Sequence, residues 1–266
     1  MSTARRHADD QACADDAAHA QAHAHAHATA TAHAFAVAHA VHERERGDAL
    51  AGWLATRDAI IAPELVARAA RLGPVVGRRD GHRHFIDSVD AARDPARAAR
   101  LHAALDAARA LAKNGAPFAL SLVCGLQACV AGGAAVERSS PAFAKSGGEV
   151  YSYDARTRER LMRACGDARD LRVPALLRAA RAYLDICFFH PFEDGNARAA
   201  RLALDFVLAA HGTILDEVGP LFVVRRPAGD PAAHQSFGRL ICVLAEATAR
   251  RATSTPLHTD SDSETA

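Results

Sequence analysis

Aromatic residues are scarce in this 266-residue chain, at 5% of positions, with a single tryptophan. Alanine abounds instead, which suits a helical protein with a small-residue core. An excess of charge of either sign is also missing: 32 basic against 31 acidic residues leave a net charge of +1. The electrostatic footprint of a nucleic-acid binder is therefore absent. The six cysteines (Cys13, Cys124, Cys129, Cys165, Cys187 and Cys242) form no C-x-x-C pair and sit mostly in apolar helical contexts. That excludes a disulfide framework or a zinc knuckle and predicts reduced packing residues in a cytoplasmic protein. Arg5 and Arg6 have no compact apolar stretch behind them, so no signal peptide is read. Residues 115–136 carry no charge, yet Pro117, Ser121, Gly125, Gln127, Gly132 and Gly133 dilute them. A buried helix explains that segment better than a membrane span. Nothing repeats at a solenoid period.

What is present divides the chain into four parts. Residues 1–47 are a low-complexity tract in which Ala alternates with His19, His23, His25, His27, His33, His39 and His42. Such a tract attracts metals, but no fixed ligand geometry follows from it, and it reads as a disordered tail. Residues 48–89 read as a helical extension, with Leu50, Trp53, Leu54, Ile60, Ile61, Leu65 and Val66 at helical spacings. Within it, Pro74 to Val89 predicts a small hairpin turning at Asp80-Gly81.

Residues 90–250 form the main domain. Pro95 to Lys113 predicts an amphipathic helix with Leu101, Leu105, Ala108 and Leu111 on one face. Phe118 to Val130 predicts a core helix. Residues 143–153, with Ser146-Gly147-Gly148 at the turn, predict an exposed hairpin. A helix after Val173-Pro174 carries Leu176, Ala180, Tyr183, Leu184, Cys187 and Phe188, with Arg181 and Asp185 as an i,i+4 pair on its other side. A buried helix from Asn196 to His211 stops at Gly212, and a last one spans Pro231 to Arg250. Residues 251–266 are polar and acidic, and read as a second disordered tail.

Between two of these helices lies the densest chemistry, His190-Pro191-Phe192-Glu193-Asp194-Gly195-Asn196-Ala197-Arg198-Ala199-Ala200-Arg201. His190 falls where one helix ends and Gly195-Asn196 where the next begins. A helix N-terminus offers unpaired N–H groups and the positive end of the dipole to phosphate oxygens. Gly195 allows positive φ and a close backbone approach. Arg198 and Arg201, at i and i+3, are expected to point from one face toward the same polyphosphate. Asp194 offers carboxylate oxygen to Mg²⁺ between phosphates, with Glu193 the weaker candidate. For His190 as a base, the helix C-terminus raises its pKa while arginines and a metal lower it. Each residue alone would pass for an ordinary turn. Together their roles are mutually consistent, which marks a functional site.

The run resembles the Fic/Doc family signature, H-x-F-x-D/E-G-N-x-R-x-x-R, matched by His190, Phe192, Asp194, Gly195, Asn196, Arg198 and Arg201. The resemblance covers about residues 90–250. It implies an all-α domain, a Fic-type helical bundle with a short β-hairpin flap, that transfers AMP from ATP to a Ser, Thr or Tyr hydroxyl of a target protein. His190 would be the base, Asp194 the Mg²⁺ ligand, Gly195 and Asn196 with Ala197 the anion nest, and Arg198 and Arg201 the phosphate grips. Phe192 would be a core anchor. The target chain would dock by strand addition on the flap, where Lys145 and Tyr151 are candidates. Two departures stand out. Ala197 replaces the glycine usual in AMP-transferring members and the lysine of the Doc branch, which acts as a protein kinase. The inhibitory S/T-x-x-x-E-G/N motif of many members has no counterpart, since no glutamate precedes Gly or Asn. Any restraint would come from a separate antitoxin-like partner or another element. A Doc-like kinase, another phosphate-group transferase and a catalytically silent nucleotide-binding module are the alternatives. No nucleic-acid or membrane partner is expected.

Overall fold

The computed structural model describes residues 47–144, 148–224 and 226–254. The His-rich tract (His19 to His42), Lys145 and residues 255–266 lie outside the described residues. From Asp48 onward the chain forms one compact unit.

Several of its helices start where an aspartate caps them. In α1 (Ala49–Thr56), the Asp48 carboxylate accepts from Leu50 N. A 3₁₀ turn (Arg57–Ile61) leads to α2 (Pro63–Ala69). The short α3 (Gly81–Phe85) continues as a π turn over Ile86–Asp90. In α4 (Pro95–Lys113), Asp94 caps Arg97 N at 2.9 Å and Pro95 sits in the first turn, where its missing N–H costs nothing. α5 (Leu120–Ala131) ends at Gly132, whose φ is 75°. The hairpin pairs β1 (Ala142–Ala144) with β2 (Glu149–Tyr151) antiparallel, Phe143 opposite Val150. Then follow α6 (Thr157–Asp167), α7 (Ala175–Phe189), α8 (Asn196–Ala210), α9 (Gly219–Val223) and α10 (Pro231–Thr253). Among the described residues the fold is all-α apart from this hairpin.

α7 and α8 are the centre, packed on each other and buried on nearly every side. α4 and α5 cover α8, while α10, α6 and the segment from α1 to α2 cover α7. Complete burial changes what charges on these helices do. Arg181 and Asp185 were expected to face solvent as a pair; both are buried, and each takes a tertiary partner instead. Asp185 receives Arg57 through Nε and Nη2, both at 2.7 Å, and the Trp53 indole N–H at 3.0 Å. Arg181 donates to the Asp167 carbonyl at 3.0 Å. A buried charge without such a partner would cost several kcal/mol, on the order of 3–5.

Two other expectations need correction. The hairpin over 74–89 does not form: Val76 makes a lone parallel bridge to Ile214, and Asp80-Gly81 starts α3. The Asp80 carboxylate caps His82 N and Arg83 N, and a Cβ on Gly81 would lie 2.7 Å from the Asp216 carbonyl carbon. The glycine therefore serves close packing rather than a β-turn. On α4, Leu101, Leu105 and Ala108 are buried, but Leu111 is 42% exposed, its place in the core taken by Ala104 and Ala112. No helix among the described residues is long and apolar enough to cross a membrane.

Candidate functional site

The run from His190 to Arg201 is the connection between the two central helices, so a buried frame holds it from both ends. α7 ends at His190 in the left-handed region, with φ 48° and ψ 56°. Among the described residues it is the non-glycine residue with positive φ, a conformation costing roughly 1–2 kcal/mol. The loop beyond is stapled. Asn196 Oδ1 accepts from Phe192 N at 2.9 Å while its Nδ2 donates to the Phe192 carbonyl at 2.7 Å. Glu193 N donates to the Val136 carbonyl, Arg138 N to the Pro191 carbonyl. Phe192 is buried in the core, as expected of an anchor.

Gly195 precedes α8 with φ 87°, and no side chain caps that helix. The Asn196 and Ala197 N–H groups therefore point out of the helix without an intrahelical acceptor, while Arg198 N bonds back to the Gly195 carbonyl at 3.0 Å. The Asn196 side chain is spent on closing the loop, so a nest here would be made by backbone alone. Gln127 lies directly beneath: its Nε2 donates to the Asp194 carbonyl at 2.9 Å, and a Cβ on Gly195 would come within 2.0 Å of it.

The His190 ring stacks on Tyr151 of β2, centroids 4.4 Å apart and planes 20° from parallel. The Tyr151 hydroxyl donates to Glu149 at 2.6 Å. Burial pushes the His190 pKa below the usual histidine value. The imidazole's hydrogen bond to the Cys187 carbonyl opposes that shift, and the Arg138 charge adds to it. Burial outweighs the helix end, so the ring is neutral at pH 7, as a base must be.

Beside it opens a cavity of about 380 Å³, walled by Tyr183, Leu184, Phe188 and Phe222, with Asn196 and Ala197 also lining it. That size takes a nucleoside. On the other flank of the loop, Arg97, Arg100, Gln127, Asp194 and Arg198 line a polar cavity of about 240 Å³.

The two arginines do not act as one open clamp. Arg198 Nη2 donates to Asp194 at 3.0 Å, across an otherwise exposed carboxylate. Arg201 turns inward, its side chain 7% exposed, and holds Asp90 through both nitrogens at 2.6 and 2.9 Å. Its guanidinium lies 5.2 Å from the Phe85 ring centroid and 5.6 Å from that of Phe222. A guanidinium buried to this degree demands an anion, and Asp90 supplies one. Arg201 is thus paired with Asp90 here rather than open to a polyphosphate.

Among the described residues no cluster of three His, Cys, Asp or Glu side chains could cage a metal. Asp194 is an exposed carboxylate beside the open end of α8, next to the exposed Glu193 and paired with Arg198. It fits Mg²⁺ that arrives on phosphates, which keeps its waters and uses one or two protein carboxylates. Sequence reasoning missed Gln127, Asp90 and Arg138. A lone amide in an uncharged helix was the one signal for Gln127, and nothing local marks the other two.

Residues 118–235 match the model of the Fic/DOC family, a stretch running from just before α5 into the first turn of α10. It takes in the hairpin, α7, the loop and α8. Among solved structures, one described as "Fic-1 (aa134 - 508) from C. elegans" is similar at 17% identity, with a TM-score of 0.44 over 76% of this chain and 70% of that one. No curated protein matches. Over residues 118–235 the chain is thus similar to the Fic/DOC family.

Proposed function

We propose that this domain transfers AMP from Mg²⁺-bound ATP to a Ser, Thr or Tyr hydroxyl of a target protein docked along the hairpin. The observation that carries the reading is a neutral, half-buried imidazole lining a nucleoside-sized cavity together with the uncapped N-terminus of a helix. His190 takes the hydroxyl proton, and the oxygen attacks the α-phosphorus. The bond from that phosphorus to the bridging oxygen breaks, and pyrophosphate leaves. The nucleobase occupies the cavity walled by Leu184, Phe188 and the stacked rings of Tyr183 and Phe222, and the phosphates lie over the N–H groups of Asn196 and Ala197. Asp194 would hold the Mg²⁺ brought with the nucleotide, which would supply neutralisation of the phosphate charge. Arg198 leaves Asp194 for a phosphate; Arg201 does the same only if Asp90 releases it.

ATP labelled at either the α- or the γ-phosphate tests this, using the full chain, candidate acceptor proteins and a His190→Ala control. Label from the α position, lost in the variant, is the expected result. Label from the γ position alone would replace the reading with a kinase. ATP binding without transfer of either label would leave a silent nucleotide-binding module.

A further inference from the structure

The side chain that does most to hold the site together lies outside the signature. Arg138 is 5% exposed, sits between α5 and β1, and spends all five of its N–H donors on backbone carbonyls. Nε donates to His190 at 2.7 Å. Nη1 donates to Ser140 at 2.7 Å and Tyr151 at 3.2 Å, and Nη2 to Ser152 at 2.9 Å and Phe189 at 2.8 Å. The Tyr153 ring covers its face at 5.1 Å. Two of these carbonyls close α7, where a cation is favoured by the helix dipole. The other three flank both strands of the hairpin. A plain helix cap would need one or two donors, and a plain loop staple would not reach the base.

We propose that Arg138 is a positioning residue that locks the hairpin to the backbone of His190, so that the dock for the target chain and the base move as one frame. This rests on reading His190 as the base and the hairpin as the dock. The geometry supports it in two ways. His190 holds a left-handed backbone that needs an external holder, and Arg138 grips the carbonyls on both sides of its N–Cα–C unit. Tyr151, whose carbonyl Arg138 also binds, is the ring stacked on the imidazole. A strand added to the hairpin would therefore meet an acceptor site already in register with the base.

Charge and geometry can be separated. The groups facing His190 are Arg138 from the α5–β1 connection, Glu149 and Tyr151 from β2, Asp194 from the loop and the Cys187 carbonyl from α7. Arg138 is the neighbouring cation that lowers its pKa; Arg138→Lys keeps that charge but has three donors for five acceptors, while Arg138→Gln loses it. Amide exchange and NMR titration of the His190 ring, on the full chain, read both effects without any activity. In both variants, exchange at residues 149–152 should quicken about tenfold, the scale of one lost hydrogen bond, while α4 and α10 keep their protection. The His190 pKa should rise in Arg138→Gln and stay close to the parent value in Arg138→Lys. Unchanged hairpin exchange with an unchanged titration would overturn the proposal, as would exchange that rises equally in every helix. If transfer is then measured, both variants should lose kcat while ATP affinity holds. If the parent chain transfers nothing, the proposed function fails while the exchange result still stands.

Discussion

Replacing Asp90 by asparagine should weaken the fold and strengthen nucleotide binding at once. Asp90 is 17% and Arg201 7% exposed at the side chain, and the pair is bidentate. Breaking a fully buried pair costs roughly 3–5 kcal/mol. Asparagine keeps one acceptor oxygen, and the rings of Phe85 and Phe222 retain a hold on the guanidinium. About 2 kcal/mol is then the reasonable loss, or a Tm lower by roughly 4–8 °C for a unit of this size. The freed Arg201 no longer has to exchange a carboxylate for a phosphate, so Mg²⁺–ATP should bind about tenfold or more tightly, a gain of at least ~1.4 kcal/mol. Saturating ATP should accordingly raise the Tm of the variant more than that of the parent chain. Calorimetric titration beside thermal melts measures both quantities. A lower Tm with ATP affinity unchanged would refute the reasoning: Arg201 would be a structural arginine that never meets the nucleotide.

Two other outcomes follow from the site. Because burial depresses the His190 pKa, the acid limb of kcat/KM should fall below the ordinary histidine value of about 6.5, leaving activity flat through neutrality. The sign for stability is the same: His190 contributes fully above that ordinary value, and the contribution is lost as pH falls toward the depressed folded value. A pH series of melts on the parent chain and His190→Ala checks it, and an acid limb above 6.5 would count against the neutral-base assignment. Gly195→Ala should cost about 2–3 kcal/mol, from a left-handed φ of 87° and a Cβ driven into Gln127. In Gly195→Ala/Gln127→Ala the steric part should vanish, so the double variant should be less destabilised than the sum of the two singles.

The helical framework was legible in the sequence because its signals are local. Asp94-Pro95 opens α4 and Gly132 closes α5 through caps and turns that operate within a few residues. The hairpin and the placement of His190 and Gly195 at facing helix ends were legible for the same reason. Asp80-Gly81 misled because the same dipeptide serves a hairpin turn or a helix cap, and the deciding contact, the backbone at Asp216, is more than a hundred residues away. Distance in sequence also hid the partner of Arg201, since one aspartate among many, at the end of the π turn before α4, had to be brought beside it. Arg138 had no periodic position and no motif; its role exists only once five carbonyls converge on it.

The left-handed backbone at His190 sets stability against chemistry at a single position. Glycine or asparagine would adopt that conformation with less strain, and either would relax the end of α7. Neither can take a proton at neutral pH. His190→Gly or His190→Asn would thus steady the end of α7 while removing the imidazole.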